Sequence, residues 1–128
     1  MDDVYTYRGL SRRLGGGIDM TKKILGKITC AEFGQIVDYP FLFGLQLYFS
    51  LGDGTSIGCG SRYTVNINEQ CGWDKFDIQE ALMTDIYELN KILNDAKVSH
   101  VSQLINKPVE VEIENNTFKD FRILTEVL

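Results

Sequence analysis

Two hydrophobic periods follow one another along this chain, and their order predicts its architecture. From Lys22 to Phe33 the residues alternate, with Ile24, Ile28 and Cys30 on one side and Leu25, Lys27 and Thr29 on the other. Gly26 interrupts the first side and marks a bend or bulge. From Phe41 to Leu51 the alternation is clearer. Leu45, Leu47, Phe49 and Leu51 share one face, and Gln46, Tyr48 and Ser50 share the other. Asp38-Tyr39-Pro40 makes the connection, Tyr39 being held extended by the proline that follows it. Gly52-Asp53-Gly54 is a hairpin signal whose loop length is set by register. A two-residue turn at 53–54 places Phe49 opposite Gly58. A three-residue loop at 52–54 places Phe49 opposite Ile57 and Leu47 opposite Cys59, so the longer loop is expected. Tyr63, Val65 and Ile67 alternate again inside the connector 61–76, extending the third strand or adding an edge.

The period then changes. Ile78, Leu82, Ile86, Leu89 and Leu93 recur at four or three residues, Ile92 and Ala96 widen that face, and Asp85 and Glu88 fall on the wet side with Lys91. Asp77 and Glu80 have capping-box spacing, so a helix is predicted over 77–96. A short helical turn between Ser99 and Lys107 buries Val101, Leu104 and Ile105, and Asn106-Lys107 is a left-handed stop. Pro108 opens a strand in which Val109, Val111 and Ile113 point inward and Glu110, Glu112 and Glu114 outward. Asn115-Asn116 supplies a two-residue primed turn, which sets Ile113 against Phe118 and Glu112 against Lys119. An uninterrupted ladder would next bury Asp120 opposite Val111. A one-residue bulge near Lys119-Asp120 avoids that cost and pairs Val111 with Phe121, Glu110 with Arg122 and Val109 with Ile123.

The order βββ-α-ββ predicts an α+β domain. It is either a five-stranded antiparallel sheet with one main helix across it or an OB-like, partly closed barrel, whose helix lies between its third and fourth strands. Both share a core of Ile28, Leu45, Leu47, Phe49, Leu82, Ile86, Leu89, Leu93, Val109, Val111, Ile113, Phe121 and Ile123. Residues 1–19 differ from the rest. Tyr5, Tyr7, Arg8, Arg12 and Arg13 lead into Gly15-Gly16-Gly17, which reads as a flexible basic extension, a leader or an appended segment, ahead of a single domain over 20–128.

Composition narrows the function classes. The net charge of −5 is uneven: residues 1–27 hold six basic and three acidic residues, the remainder seven and fifteen. An acidic body disfavours nonspecific nucleic-acid binding, which works by neutralising phosphates. No apolar run approaches the roughly 18–20 residues of a membrane span, and no signal-peptide pattern opens the chain. Three widely spaced cysteines without a C-x-x-C pair indicate neither a zinc site nor a disulfide framework. A cytoplasmic protein without metal or cofactor is the reading these features favour.

No motif assembles a nucleophile with a base, so an enzyme is not expected. His100 is the lone histidine and reads as a surface or cap residue. Cys59, between two glycines, is placed by alternation against Leu47, where a thiol is inert. The candidate ligand surface gathers Tyr48, Gly58, Gly60, Arg62 and Tyr63. There the glycines bare the sheet, the tyrosines stack and Arg62 donates hydrogen bonds, as a nucleotide, a nucleic-acid base or a partner's aromatic would require. Trp73 either covers that face from the connector or joins the stacking. A second candidate is the acidic ridge Glu110, Glu112 and Glu114, as a face for a partner protein.

Asp95-Ala96-Lys97-Val98, Val101-Ser102-Gln103-Leu104, Lys107-Pro108-Val109-Glu110-Val111 and the closing Phe121-Arg122-Ile123-Leu124-Thr125-Glu126-Val127-Leu128 resemble a recurrent family of small phage and prophage proteins. Thr21–Phe33 resembles it more weakly. The resemblance implies a mobile-element origin and a start near Met20, and it carries no catalytic residue. With the acidic charge, it leads to the expectation of a non-enzymatic, phage-encoded protein in the cytoplasm of a bacterial host. Such a protein would antagonise a host defence protein by occlusion. An OB-like binder of single-stranded nucleic acid or a signalling nucleotide is the alternative.

Overall fold

The computed structural model describes residues 21–68 and 75–128. The chain forms β1 (Thr21–Ile36), β2 (Tyr39–Leu51), β3 (Ser56–Gly58), β4 (Thr64–Asn66), α1 (Lys75–Ala96), a 3-10 helix (Val101–Leu104), β5 (Pro108–Glu114), β6 (Thr117–Ile123) and a last 3-10 turn (Thr125–Val127). The fold is α+β: a six-stranded antiparallel sheet in the order β3-β2-β1-β5-β6, with β4 paired to β2 beside β3, and one long helix. The extra strand comes from the Tyr63–Ile67 alternation, where Leu42, Phe43 and Gly44 pair with Asn66, Val65 and Thr64. No ladder joins β3 to β6, so the sheet is not closed, yet it curls. Phe118 of β6 stacks on Phe49 of β2 at 5.6 Å although two strands lie between them.

The predicted hairpins form, in the predicted registers except at Glu112. Phe49 lies opposite Ile57, and the Leu51–Thr55 loop is closed by Thr55 accepting from Leu51 N–H at 2.8 Å. Asp53 Oδ1 accepts from Thr55 N–H and from its hydroxyl, which holds the carboxyl below its ordinary value. Asn115 and Asn116 both take positive φ, as the primed turn requires. Past the turn, Ile113 meets Phe118, Val111 meets Phe121, Glu110 meets Arg122 and Val109 meets Ile123. Lys119 is the bulged residue, so Glu112 lies opposite Asp120 rather than Lys119.

Three expectations need correction. Gly26 marks a close approach rather than the bulge: a Cβ there would stand 2.3 Å from the Ser50 carbonyl oxygen. The bulge falls at Thr29, between the pairs Ile28↔Phe49 and Cys30↔Tyr48. It inverts the side-chain alternation, so Ala31 enters the core and Cys30 turns to the Tyr48 face. The helix begins at Lys75, which puts Asp77 in its first turn rather than at its cap. Its sheet-facing side is also shorter than the periodicity implies. Ile92 and Ala96 are buried and Leu89 and Leu93 pack partly on the core, but Leu82 is only half-buried outside it and Ile86 is 48% exposed. The helix ends on Lys97 at φ 59, with Val98 N–H donating to Leu93 O at 3.1 Å, a Schellman stop built without glycine. Asn106 at φ 73 makes the expected left-handed stop before β5. No described helix is long and apolar enough to cross a membrane.

Candidate functional site

The residues of the expected ligand surface divide between two sides of the sheet. Tyr48 lies on the outer face of β2, 49% exposed, with its ring folded over Gly58. A Cβ at Gly58 would meet that ring at 2.8 Å. Gln46 on the same face donates to Gly60 O at 3.2 Å. Tyr63 does not join them. It is 3% exposed, edge-on to Phe121 at 6.3 Å, and burial, reinforced by Asp120, holds its phenol far above its ordinary value. Arg62 lies against the Tyr63 ring at 4.9 Å and pairs with Glu88 of α1 at 3.6 Å. The surface is therefore corrected to Tyr48 over Gly58 on one side and an Arg62–Glu88 clasp between the β3–β4 turn and the helix on the other. Asp85, one turn from Glu88, has its carboxyl raised by burial, against the lowering effect of Arg62. Trp73 lies outside the described residues.

Gly58, Gly60 and Arg62 do come together along the seam between β3 and the tip of the β5–β6 hairpin. They share a cavity of about 530 Å³ with Asn116, Thr117 and Phe118. Cys59 lies at its floor but is buried. Its Sγ accepts from Leu47 N–H at 3.3 Å, and burial pushes the thiol up, so it is a packing residue as expected from its place against Leu47. His100 is exposed at the entry to the 3-10 helix, where Gln103 Oε1 accepts from the N–H groups of Ser99 and His100 at 3.0 and 2.9 Å. Among the described residues no group of three or more His, Cys, Asp or Glu is gathered to hold a metal ion.

The acidic ridge is not a bare anionic face. Cross-strand pairing puts Arg122 3.1 Å from Glu110, and Lys119 reaches Glu112 and Glu114 at 3.6 and 3.4 Å. On the other side Lys23 of β1 is opposite Glu112. Arg122 also binds Glu126 through two hydrogen bonds of 3.2 Å. The ridge is a lattice of alternating charge, which the sequence signals only through the β6 cations that pair with it.

A concavity larger than the seam cavity lies elsewhere, beside the distal half of the β1–β2 hairpin. It has a volume of about 680 Å³ and is lined by consecutive residues of β1 and the turn after it, from Ala31 to Asp38, by Gly44, Gln46 and Tyr48 of β2, and by Val101 and Ser102 of the 3-10 helix. Of its lining residues, Phe33, Val37 and Tyr48 are exposed large hydrophobic side chains, and Tyr39 and Phe41 stand exposed near the same end of the hairpin but outside the lining. Phe33 is steadied edge-on by Phe43 at 5.4 Å and Tyr39 by Phe41 at 6.1 Å. Its charged lining residues are Glu32 and Asp38. Apart from Tyr48, none of this was singled out from the sequence. The available signal was the density of aromatics on both sides of Asp38, a tip that a short hairpin would not need. Compared with known protein families, curated proteins and solved structures, the chain matches none.

Proposed function

We propose that this chain is a non-enzymatic binding protein that acts by occluding a partner protein, with the groove beside the β1–β2 hairpin as its contact surface. The observation that carries this reading is a concavity at the β1 edge in which Phe33, Val37 and Tyr48 are left exposed and the charged lining residues are Glu32 and Asp38. Large apolar side chains left exposed in a concavity mark interaction sites on soluble domains. The resemblance to phage and prophage proteins makes a protein of a bacterial host, within a defence system, the partner class in this reading. The strand order, with the helix between the strands nearest β2 and the β5–β6 hairpin, supports an OB-like barrel left open at the β3–β6 seam.

A nucleotide or single-stranded nucleic acid is the second reading. It rests on the seam cavity, where Gly58 and Gly60 leave room and Arg62 is the one cation among the lining residues. It is the weaker reading because Arg62 is already engaged by Glu88. The test is retention from a bacterial lysate by the full chain and by a Val37→Ser/Tyr48→Ser variant, both positions being solvent-exposed. Proteins held by the parent and lost by the variant support occlusion through the groove. Retention of oligonucleotides that falls steeply with salt and requires Arg62 supports the second reading instead.

A further inference from the structure

The hydrogen-bond pattern of β2 fixes which backbone groups of β1 are paired. Leu45 N–H donates to Tyr63 O at 3.1 Å and Cys59 N–H to Leu47 O at 2.9 Å, so the odd-numbered residues of β2 face β3 and β4. Its even-numbered residues then face β1, where Tyr48, Gln46 and Gly44 lie opposite Cys30, Glu32 and Gly34. The backbone groups of Ala31, Phe33 and Gln35 therefore turn away from β2, to the side where β5 runs earlier in β1. The β5 ladder ends at Lys27, and the last bonds on that side are Ile28 N–H to Lys107 O and Asn106 N–H to Ile28 O. No described strand continues along this side. The groove of about 680 Å³ follows it, walled by Val101 and Ser102.

We infer that the open edge of β1 from Ala31 to Gln35 is a strand-addition site that takes an extended segment of a partner protein in which basic and apolar residues alternate, an inference that rests on the binding reading above. The other sheet edges are guarded in the ways that keep strands from pairing with strangers. β3 is three residues long, and β6 carries a bulge and three charged residues, Lys119, Asp120 and Arg122. From Ala31 to Gln35 the β1 edge has no bulge and a single charge, Glu32, and it opens onto room for another chain. An added strand would lay alternate side chains on two surfaces. One surface holds Glu32, bare Gly34 and Tyr48, and the other holds Phe33 and Gln35. Glu32 and Asp38 make no ion pair among the described residues, and no Lys or Arg lines the groove, so charge complementarity assigns the polar positions of the incoming strand to Lys or Arg.

The test uses the full chain and two labelled peptides, one alternating lysine with valine and one alternating glutamate with valine. Fluorescence anisotropy should show the lysine peptide binding at least about tenfold more tightly. Amide hydrogen exchange should slow at least about tenfold at Ala31, Phe33 and Gln35 when it binds, with little change at the even-numbered residues already bonded to β2. Gln35→Pro removes an outward N–H and no ladder bond, so it should abolish peptide binding at an unchanged melting temperature. If that variant is destabilised, the exchange pattern decides alone. Equal binding of the two peptides overturns the charge assignment. Binding without protection of the odd-numbered amides overturns strand addition but leaves the groove as the contact surface. A peptide-free dimer that Gln35→Pro disperses gives the edge to a second copy and overturns the choice of occupant. Absence of peptide binding alongside groove-dependent capture from lysate overturns this inference and spares the functional reading.

Discussion

Phe49 is the residue on which the curled sheet depends. It is fully buried on the inner face of β2, stacked on Phe118 at 5.6 Å and 6° between planes, and tilted against Phe121 at 5.1 Å. Both partners belong to β6, the far end of the strand order, so this cluster bridges a seam that no backbone ladder closes. Burying a phenylalanine removes ~150–250 Å² from water, worth about 4–6 kcal/mol at ~25 cal/mol/Å². That is an upper figure, because the unfolded chain already hides part of this surface. Phe49→Ala should therefore cost about 3–5 kcal/mol. A domain of this size holds roughly 5–15 kcal/mol in all, so the variant is marginal, and Phe49→Leu, at about 1–2 kcal/mol, is the safer probe. Urea denaturation followed by circular dichroism reads both. A double-mutant cycle of Phe49→Leu with Phe118→Leu should leave a coupling of ~0.5–1.5 kcal/mol. Strictly additive losses, or a cost of Phe49→Ala under ~1 kcal/mol, would show that β6 is not held to β2 through these rings.

Gly44 and Gly34 face each other across the hairpin at φ 157 and 156, but a Cβ on Gly44 would lie 2.1 Å from the Tyr63 carbonyl oxygen while one on Gly34 meets nothing within 4 Å. Gly44→Ala should cost about 2–3 kcal/mol by urea denaturation and Gly34→Ala clearly less. Ile86→Asp should change stability by no more than about 1 kcal/mol, whereas Leu104→Asp, at a fully buried position, should abolish cooperative melting. Cys59 and Tyr63 are both held neutral by burial, with ionisation raised above ordinary values of 9.0 and 10.0. The stability they contribute is intact below pH ~9 and declines as pH rises beyond it, because only the unfolded chain ionises freely. The melting temperature should fall between pH 8 and pH 11, and Cys59→Ala with Tyr63→Phe should flatten that fall.

What could be read from the sequence depended on whether a wrong register would have cost anything. In the β5–β6 hairpin, continuing the ladder would have buried Asp120, so the bulge was legible, and Lys119 is the residue it displaces. In β1 the corresponding bulge at Thr29 exchanges Cys30 for Ala31 in the core. Both are small and apolar, so the exchange itself is silent, and its one trace is Glu32, which an uninterrupted alternation from Ile28 would carry to the core face opposite Leu45. Arg62 and Tyr63 illustrate the same limit. Placing them on one surface ignored that the chain turns through residues 60–63 before β4, leaving Arg62 outside while Tyr63 enters the core with Val65.

The helix shows a second limit, that periodicity identifies a face without saying how far the face has something to lie against. Ile78, Leu82, Ile86, Leu89 and Leu93 repeat without interruption, but the helix meets β2, β4, β6 and the 3-10 helix chiefly through its C-terminal half. A 22-residue helix spans about 33 Å at 1.5 Å per residue, whereas the three-residue strand β4 beneath it spans about 10 Å. The surplus length leaves Met83, Ile86 and Tyr87 exposed beside the Arg62–Glu88 clasp. Apolar surface left in water contributes nothing to folding, so the stability of the domain rests on the curled sheet and on the last turns of the helix. For that reason substitutions at Ile92 and Ala96 should unfold the protein while those at Met83 and Ile86 should not. A melting profile in which Ile86→Asp and Ile92→Asp lose equal stability would place the missing half of the face against a surface of its own.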